Sequence, residues 1–148
     1  GGDVSLISST EGTLYAEIAA LADDGTPREI TLNDGTENNR VIISYNTSNN
    51  IRINYRANSV NVFDRTYTTT ITDFNKIALK WKLNNFSFFV NGLEISSSLS
   101  GQVISSNTLD VIDFDNSVGN FNFFGKTKAV AVWKEALSDT ELTELTTI

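Results

Sequence analysis

The chain of 148 residues contains no cysteine and no histidine, and its single proline is Pro27. Without cysteine there are no disulfides, no thiolate nucleophile and no thiolate metal ligand. Without histidine the commonest general base, the commonest zinc ligand and every histidine-dependent triad are excluded. Basic residues are scarce: 11 Lys and Arg against 18 Asp and Glu leave a net charge of −7. Such a balance favours solubility and argues against generic affinity for nucleic acid or anionic lipid. No run reaches the roughly eighteen apolar residues of a membrane-spanning helix, so neither nucleic-acid binding nor membrane insertion is expected. The chain opens on Gly1-Gly2 with neither a methionine nor a secretory leader. It reads as a module cut from a larger multidomain protein.

What is present is a globular composition. It is 40% hydrophobic, with nine Phe, four Tyr and two Trp among many Asn, Ser and Thr residues. β-Branched residues fall in short runs, a mixture that favours strands and polar turns. EGTLYAEIAAL (Glu11 to Leu21) reads as a strand and ends in the turn cluster ADDGTP. REITLND (Arg28 to Asp34) alternates. RVIISYN (Arg40 to Asn46) and NIRINYR (Asn50 to Arg56) alternate around the short loop TSNN and read as a hairpin. Its apolar face carries Val41, Ile43, Tyr45, Ile51, Ile53 and Tyr55. Ser59 to Ile71 is a less regular strand. FNKIALKWKL (Phe74 to Leu83) places Ile77, Leu79, Trp81 and Leu83 on one face, and Lys76, Ala78, Lys80 and Lys82 on the other. Phe86 to Ile95 carries Asn91-Gly92, the signature of a turn or bulge. Leu109 to Asp115 and Phe121 to Leu137 supply the last strands.

The C-terminal stretch differs. Ser138 stands three residues before Glu141 as in a capping box, and Leu142 and Leu145 form an apolar i, i+3 pair, so one short helix follows. Nine to eleven short strands, no internal repeat and no linker predict a single all-β domain over residues 1–148. The architecture this pattern predicts is a β-sandwich or a closed barrel with one short C-terminal helix.

The order of these pieces resembles a known family. The segments carrying the likeness are the hairpin RVIISYN/NIRINYR, the K-I-A-L strand leading to F-V-N-G at Phe89 to Gly92, and A-L-S-D-x-E-L at Ala136 to Leu142. Together they resemble concanavalin A-like, laminin G-like jelly-roll domains. EGTLYAE and R-E-I-T-L-N-D-G-T (Arg28 to Thr36) are similar to the version found in bacteriophage tail and fibre proteins. The likeness covers nearly the whole chain. It implies a two-sheet antiparallel β-sandwich, one sheet of it concave, and frequently glycan binding; many members bind calcium, and some are mainly structural.

Hydrolases of this fold carry alternating carboxylates on one strand, placing an acid and a nucleophile about 5–5.5 Å apart. The nearest candidate here is Asp110, Asp113 and Asp115, of which only the last two share a face. No Glu accompanies them, so no catalysis is expected. Asp23-Asp24-Gly25, Asn33-Asp34-Gly35 and Asp113 to Asn116 offer the hard oxygen donors that suit calcium, but without EF-hand spacing. Asp-Gly and Asn-Gly make turns without any metal, and no ligand set is assigned. Trp81 and Trp133 read as core. Tyr67, on the irregular strand, is the better candidate for an exposed ring that stacks on a sugar.

The basic residues carry the functional reading. Arg40, Arg52, Arg56, Lys76, Lys80 and Lys82 fall on the polar faces of three strands, with Ser44, Asn46 and Asn54. If those strands share a sheet, they form a cationic surface on an anionic molecule, and guanidinium forks suit carboxylate or sulfate. Lys and Arg also keep sheet faces and edges soluble. The expected function is non-catalytic binding of a polysaccharide or cell-surface glycan, anionic on this reading, at a concave sheet face or at loop tips. The expected site comprises Arg40, Asn46, Arg52, Asn54, Arg56, Tyr67, Lys80 and Lys82. The setting would be extracellular or virion-associated. The alternative is a structural, assembly or oligomerisation module of a phage tail or another extracellular protein, binding protein in place of glycan.

Overall fold

The computed structural model describes residues 2–148; Gly1, read above as part of the cut end, lies outside the described residues. The strands are β1 (Glu11–Ala20), β2 (Arg28–Asn33), β3 (Arg40–Tyr45), β4 (Ile51–Ala57), β5 (Val60–Tyr67), β6 (Asn75–Lys82), β7 (Asn85–Val90), β8 (Leu93–Ser98), β9 (Val111–Asp113) and β10 (Gly125–Trp133), followed by helix α1 (Asp139–Thr146). They form two five-stranded antiparallel sheets, with the orders β10-β1-β6-β7-β8 and β5-β4-β3-β2-β9. The expected β-sandwich with one short C-terminal helix is what forms.

Alternation decides the inner faces. Leu14, Ile77, Leu79, Trp81, Phe86 and Phe88 of the first sheet meet Ile30, Leu32, Ile43, Ile53, Tyr55 and Phe63 of the second in one continuous core. Burial of each such side chain contributes about 1.5–3 kcal/mol. Two phenols of this core spend their hydroxyls on backbone: Tyr45 donates to Ile18 O at 3.1 Å, and Tyr55 donates to Ser9 O at 3.1 Å while accepting from Ile104 N. Leu83, expected on the apolar face of β6, lies just past the strand end and is exposed. Asn91-Gly92 proves to be a turn that splits the expected Phe86–Ile95 strand into β7 and β8. Both residues adopt positive φ, 52° and 84°, as a two-residue hairpin requires.

The outer face of the β1–β6–β7 sheet is closed by the C-terminal segment. Tyr15, Ala78 and Phe89 pack with Leu142 of α1, joined by Trp133, Leu137 and Leu145. Ser138 is the N-cap, its Oγ accepting from Glu141 N at 3.2 Å and donating to the Glu141 carboxylate at 3.0 Å. Lys80 is buried under this helix and donates to Asp139 at 2.7 Å. Lys76 reaches Thr147 O at 2.8 Å, and Lys82 pairs with Glu11 at 3.5 Å.

Candidate polar binding face

Among the described residues, no helix lies over the outer face of the other sheet. Strand register arranges its residues in three rows across β2, β3, β4 and β5. The rows are Glu29–Ser44–Arg52–Thr66, Thr31–Ile42–Asn54–Asp64 and Asn33–Arg40–Arg56–Asn61. These residues alternate along each strand with core residues, so the pleat that buries Ile51, Ile53 and Tyr55 also aligns Arg52, Asn54 and Arg56 outward. Beyond β2, the segment from Asp115 to Asn122 crosses this face. Asp115 O accepts from Thr31 Oγ1 at 3.0 Å, Asn116 O from Arg40 Nη1 at 3.0 Å, and Phe121 O from Glu29 N at 2.9 Å.

The electrostatics are nearly balanced. Arg52 makes a two-pronged pair with Asp64, Nε to Oδ1 at 2.9 Å and Nη2 to Oδ2 at 2.7 Å, which holds the guanidinium charged. Arg40 lies 3.8 Å from Glu29 and 3.5 Å from Glu37. Burial pushes the Glu29 carboxyl above its ordinary range, against the pull of Arg40 and Arg52. Burial likewise lowers the Arg40 pKa. Among the described residues, the Arg56 side chain makes one hydrogen bond, from Nη1 to Asn61 Oδ1 at 3.4 Å.

Polar atoms here are buried but not spent. Asn54 is 1% exposed, yet neither its amide nitrogen nor its oxygen has a protein partner. Among the described residues, five of the seven buried unpartnered side-chain atoms belong to this face: Glu29 Oε2, Arg40 Nε, both Asn54 atoms and Arg56 Nε. Each such group costs about 1–3 kcal/mol when left unsatisfied. Natural structures keep few of them unless they serve a purpose. At one end of the face a cleft of about 210 Å³ is lined by Pro27, Glu29, Ser44, Asn46, Arg52 and Phe121, among others. Phe121 is 49% exposed and holds a φ of 53°, a left-handed backbone that a bulky side chain rarely adopts. The Asn46 amide oxygen accepts from Ser48 N and Asn50 N, both at 3.0 Å, and shapes the β3–β4 turn at the rim.

Arg40, Arg52, Asn54 and Arg56 are therefore brought together as expected, with Asn46 at the edge of the same cleft. Lys80 and Lys82 are not. β6 belongs to the opposite sheet, between β1 and β7, so the expectation of one continuous cationic surface is corrected. Tyr67 is corrected too: it pairs with Ile51 and leans on the core. The exposed ring beside the cleft is Phe121, which the sequence reading missed. Its signal was a phenylalanine in an Asn/Gly-rich loop.

The acidic stretches are consumed by structure. Asp24 binds Arg28 and Thr26 N, Asp113 accepts from Asn33 Nδ2 at 2.9 Å, and Asp115 holds Ser117 N. Among the described residues no three acidic side chains converge.

Comparison with known proteins agrees with this architecture. Among solved structures, the carbohydrate-binding module CBM40 of the Ruminococcus gnavus IT-sialidase, bound to α2,3-sialyllactose, superposes with a TM-score of 0.75 at 15% identity over 95% of this chain and 84% of its own. The leech intramolecular trans-sialidase complexed with 2,7-anhydro-Neu5Ac gives 0.70 at 20% identity, over 95% of this chain and 24% of its own. A putative carbohydrate-binding protein from Bacteroides ovatus gives 0.70 at 15% identity, over 100% of this chain and 44% of its own. At such identities the likeness speaks for fold alone. No curated protein sequence matches the chain. The profile of one family spans residues 2–143, and with the two-sheet sandwich in hand the chain belongs to the concanavalin A-like lectin/glucanases superfamily.

Proposed function

We propose that this domain is a non-catalytic glycan-binding module whose site is the outer face of the β5–β4–β3–β2–β9 sheet, entered at the cleft beside Phe121. The observation that carries the reading is the concentration of buried, unpartnered donors and acceptors on this one face. A sugar supplies many hydroxyls that both donate and accept, the chemistry needed by groups that the fold leaves without a hydrogen bond. Phe121 offers a ring to the apolar face of a pyranose, Arg52 keeps Nη1 for a carboxylate or hydroxyl, and Glu29 and Asn46 accept or donate at the rim. An acidic glycan suits the three arginines, although Asp64, Glu29 and Glu37 balance much of their charge. Two similar folds were solved with sialylated or sialic-acid-derived ligands, so sialyllactose is the first ligand to try. A parent protein that is secreted or carried on a virion fits such a module, with modest affinity per site multiplied by copy number.

The test is a glycan panel read by calorimetry: neutral lactose, 3′-sialyllactose and uronate oligosaccharides. Binding of an acidic glycan, weakened about tenfold by Arg52→Ala and reduced by added salt, is the expected result. A stable oligomer that binds none of the panel would overturn the reading in favour of an assembly role.

A further inference from the structure

We infer that Arg40 and Arg56 form a second anionic subsite, so that the face takes a glycan bearing two acidic groups, not one terminal acid. This rests on the glycan-binding reading above. Arg40 and Arg56 stand directly opposite each other across β3 and β4. Like charges at such a position repel, and a bridging anion converts that repulsion into attraction. Each guanidinium keeps a buried Nε–H without a protein partner. Arg40 commits only Nη1, to Asn116 O and to the more distant Glu29 and Glu37. Arg56 has a single long contact with Asn61 and, among the described residues, no carboxylate at ion-pair distance. Its neighbour Arg52, by contrast, is clamped by Asp64.

The spacing defines the ligand class. Arg56 lies four residues beyond Arg52 on β4, about 13 Å at the strand rise, so one acid at the Phe121 cleft cannot serve both. Between them, in the middle row, stands Asn54 with both its amide nitrogen and its oxygen unspent. The order along the face is thus cation, neutral amide, cation. It matches an oligosaccharide in which carboxylate- or sulfate-bearing sugars alternate with neutral ones.

The experiment uses the whole domain and two probes. Titration compares 3′-sialyllactose, with one carboxylate, and hyaluronan tetrasaccharide, in which glucuronate alternates with N-acetylglucosamine. The tetrasaccharide is expected to bind about tenfold tighter, the worth of one charge-assisted contact. In Arg56→Gln that preference falls to near parity, while Arg56→Lys retains part of it. Separately, sodium sulfate is compared with sodium chloride at equal ionic strength in thermal unfolding. Sulfate raises the Tm of any folded protein by exclusion from its surface, so the expected result is a clearly larger rise in the wild type than in Arg56→Gln. Equal affinity for the two glycans, or a sulfate effect indifferent to Arg56→Gln, overturns the subsite; if sialyllactose still binds, the broader reading survives. A sulfate effect that depends on Arg56 in a protein that binds no glycan supports the subsite and removes the glycan reading.

Discussion

The two outward faces of the sandwich solve the same problem in opposite ways. Both belong to twisted five-stranded antiparallel sheets, and both carry long cationic side chains next to small polar ones. On the β1–β6–β7 face the chain returns and covers itself: α1 lays Leu142 against Tyr15 and Phe89, and buried Lys80 finds Asp139. On the β2–β3–β4 face only a loop crosses one side, and buried Asn54, Glu29 and the arginines keep atoms to spare. One face is finished by folding, and the other is left with buried polar atoms that lack a hydrogen bond. The difference is a useful guide to function, because stability alone favours the first arrangement.

That contrast can be broken from either side. Leu142→Ala, on the closed face, opens a cavity under α1 and is expected to cost about 3 kcal/mol while leaving glycan affinity unchanged; chemical denaturation and titration on the same sample check both halves. Asp139→Ala strands the buried Lys80 ammonium. It should cost about 2 kcal/mol, softened because Asp139 itself is largely exposed, again without effect on binding. Asn54→Leu, on the open face, should do the reverse. Replacing an unpartnered amide by a similar apolar volume is expected to stabilise by about 1 kcal/mol and to weaken glycan binding several-fold. A loss of stability with unchanged affinity would mean that the open face is merely structural.

The smallest effect is a pH slope. The Glu29 carboxyl has its pKa raised by burial. The folded protein therefore holds that proton to higher pH than the unfolded chain does. Stability from this group is full below the ordinary value of 4.5 and falls as pH rises through the raised one. Glu29→Gln should flatten that decline. Thermal unfolding from pH 4 to pH 7 measures the difference between variant and wild type, which should widen with pH.

How much of this was legible beforehand follows the range of the interactions. The β3–β4 hairpin is local, so alternation alone brought Arg40, Arg52, Asn54 and Arg56 to one face. The same alternation correctly turned Trp81 inward and Lys80 outward. It could not say which outward, because β6 joins its sheet by pairing with β1, far away in sequence. Tyr67 was misjudged for a related reason. Phe63 and Tyr67 are four residues apart and share a face, but which face was set by pairing with β4, where Phe63 stands opposite Tyr55 and Tyr67 opposite Ile51 on the core side. Phe121 reaches the cleft through a bridge between Asn122 and Glu29, a contact that no local pattern announces. The terminal helix was readable because a cap is a local motif, although Glu141 accepts from the Ser138 hydroxyl as well as receiving its cap.

The strict alternation along β2, β3 and β4 has a consequence for change over generations. Every second letter of those strands writes the core, and the letters between write the outer face. The two messages share a chain without sharing a site. Positions 29, 44, 52 and 54 can be rewritten together, by mutation or in a randomised library, while Ile30, Ile43, Ile51 and Ile53 go on specifying the same sandwich. A single scaffold can thereby change what its outer face presents without relearning how to fold.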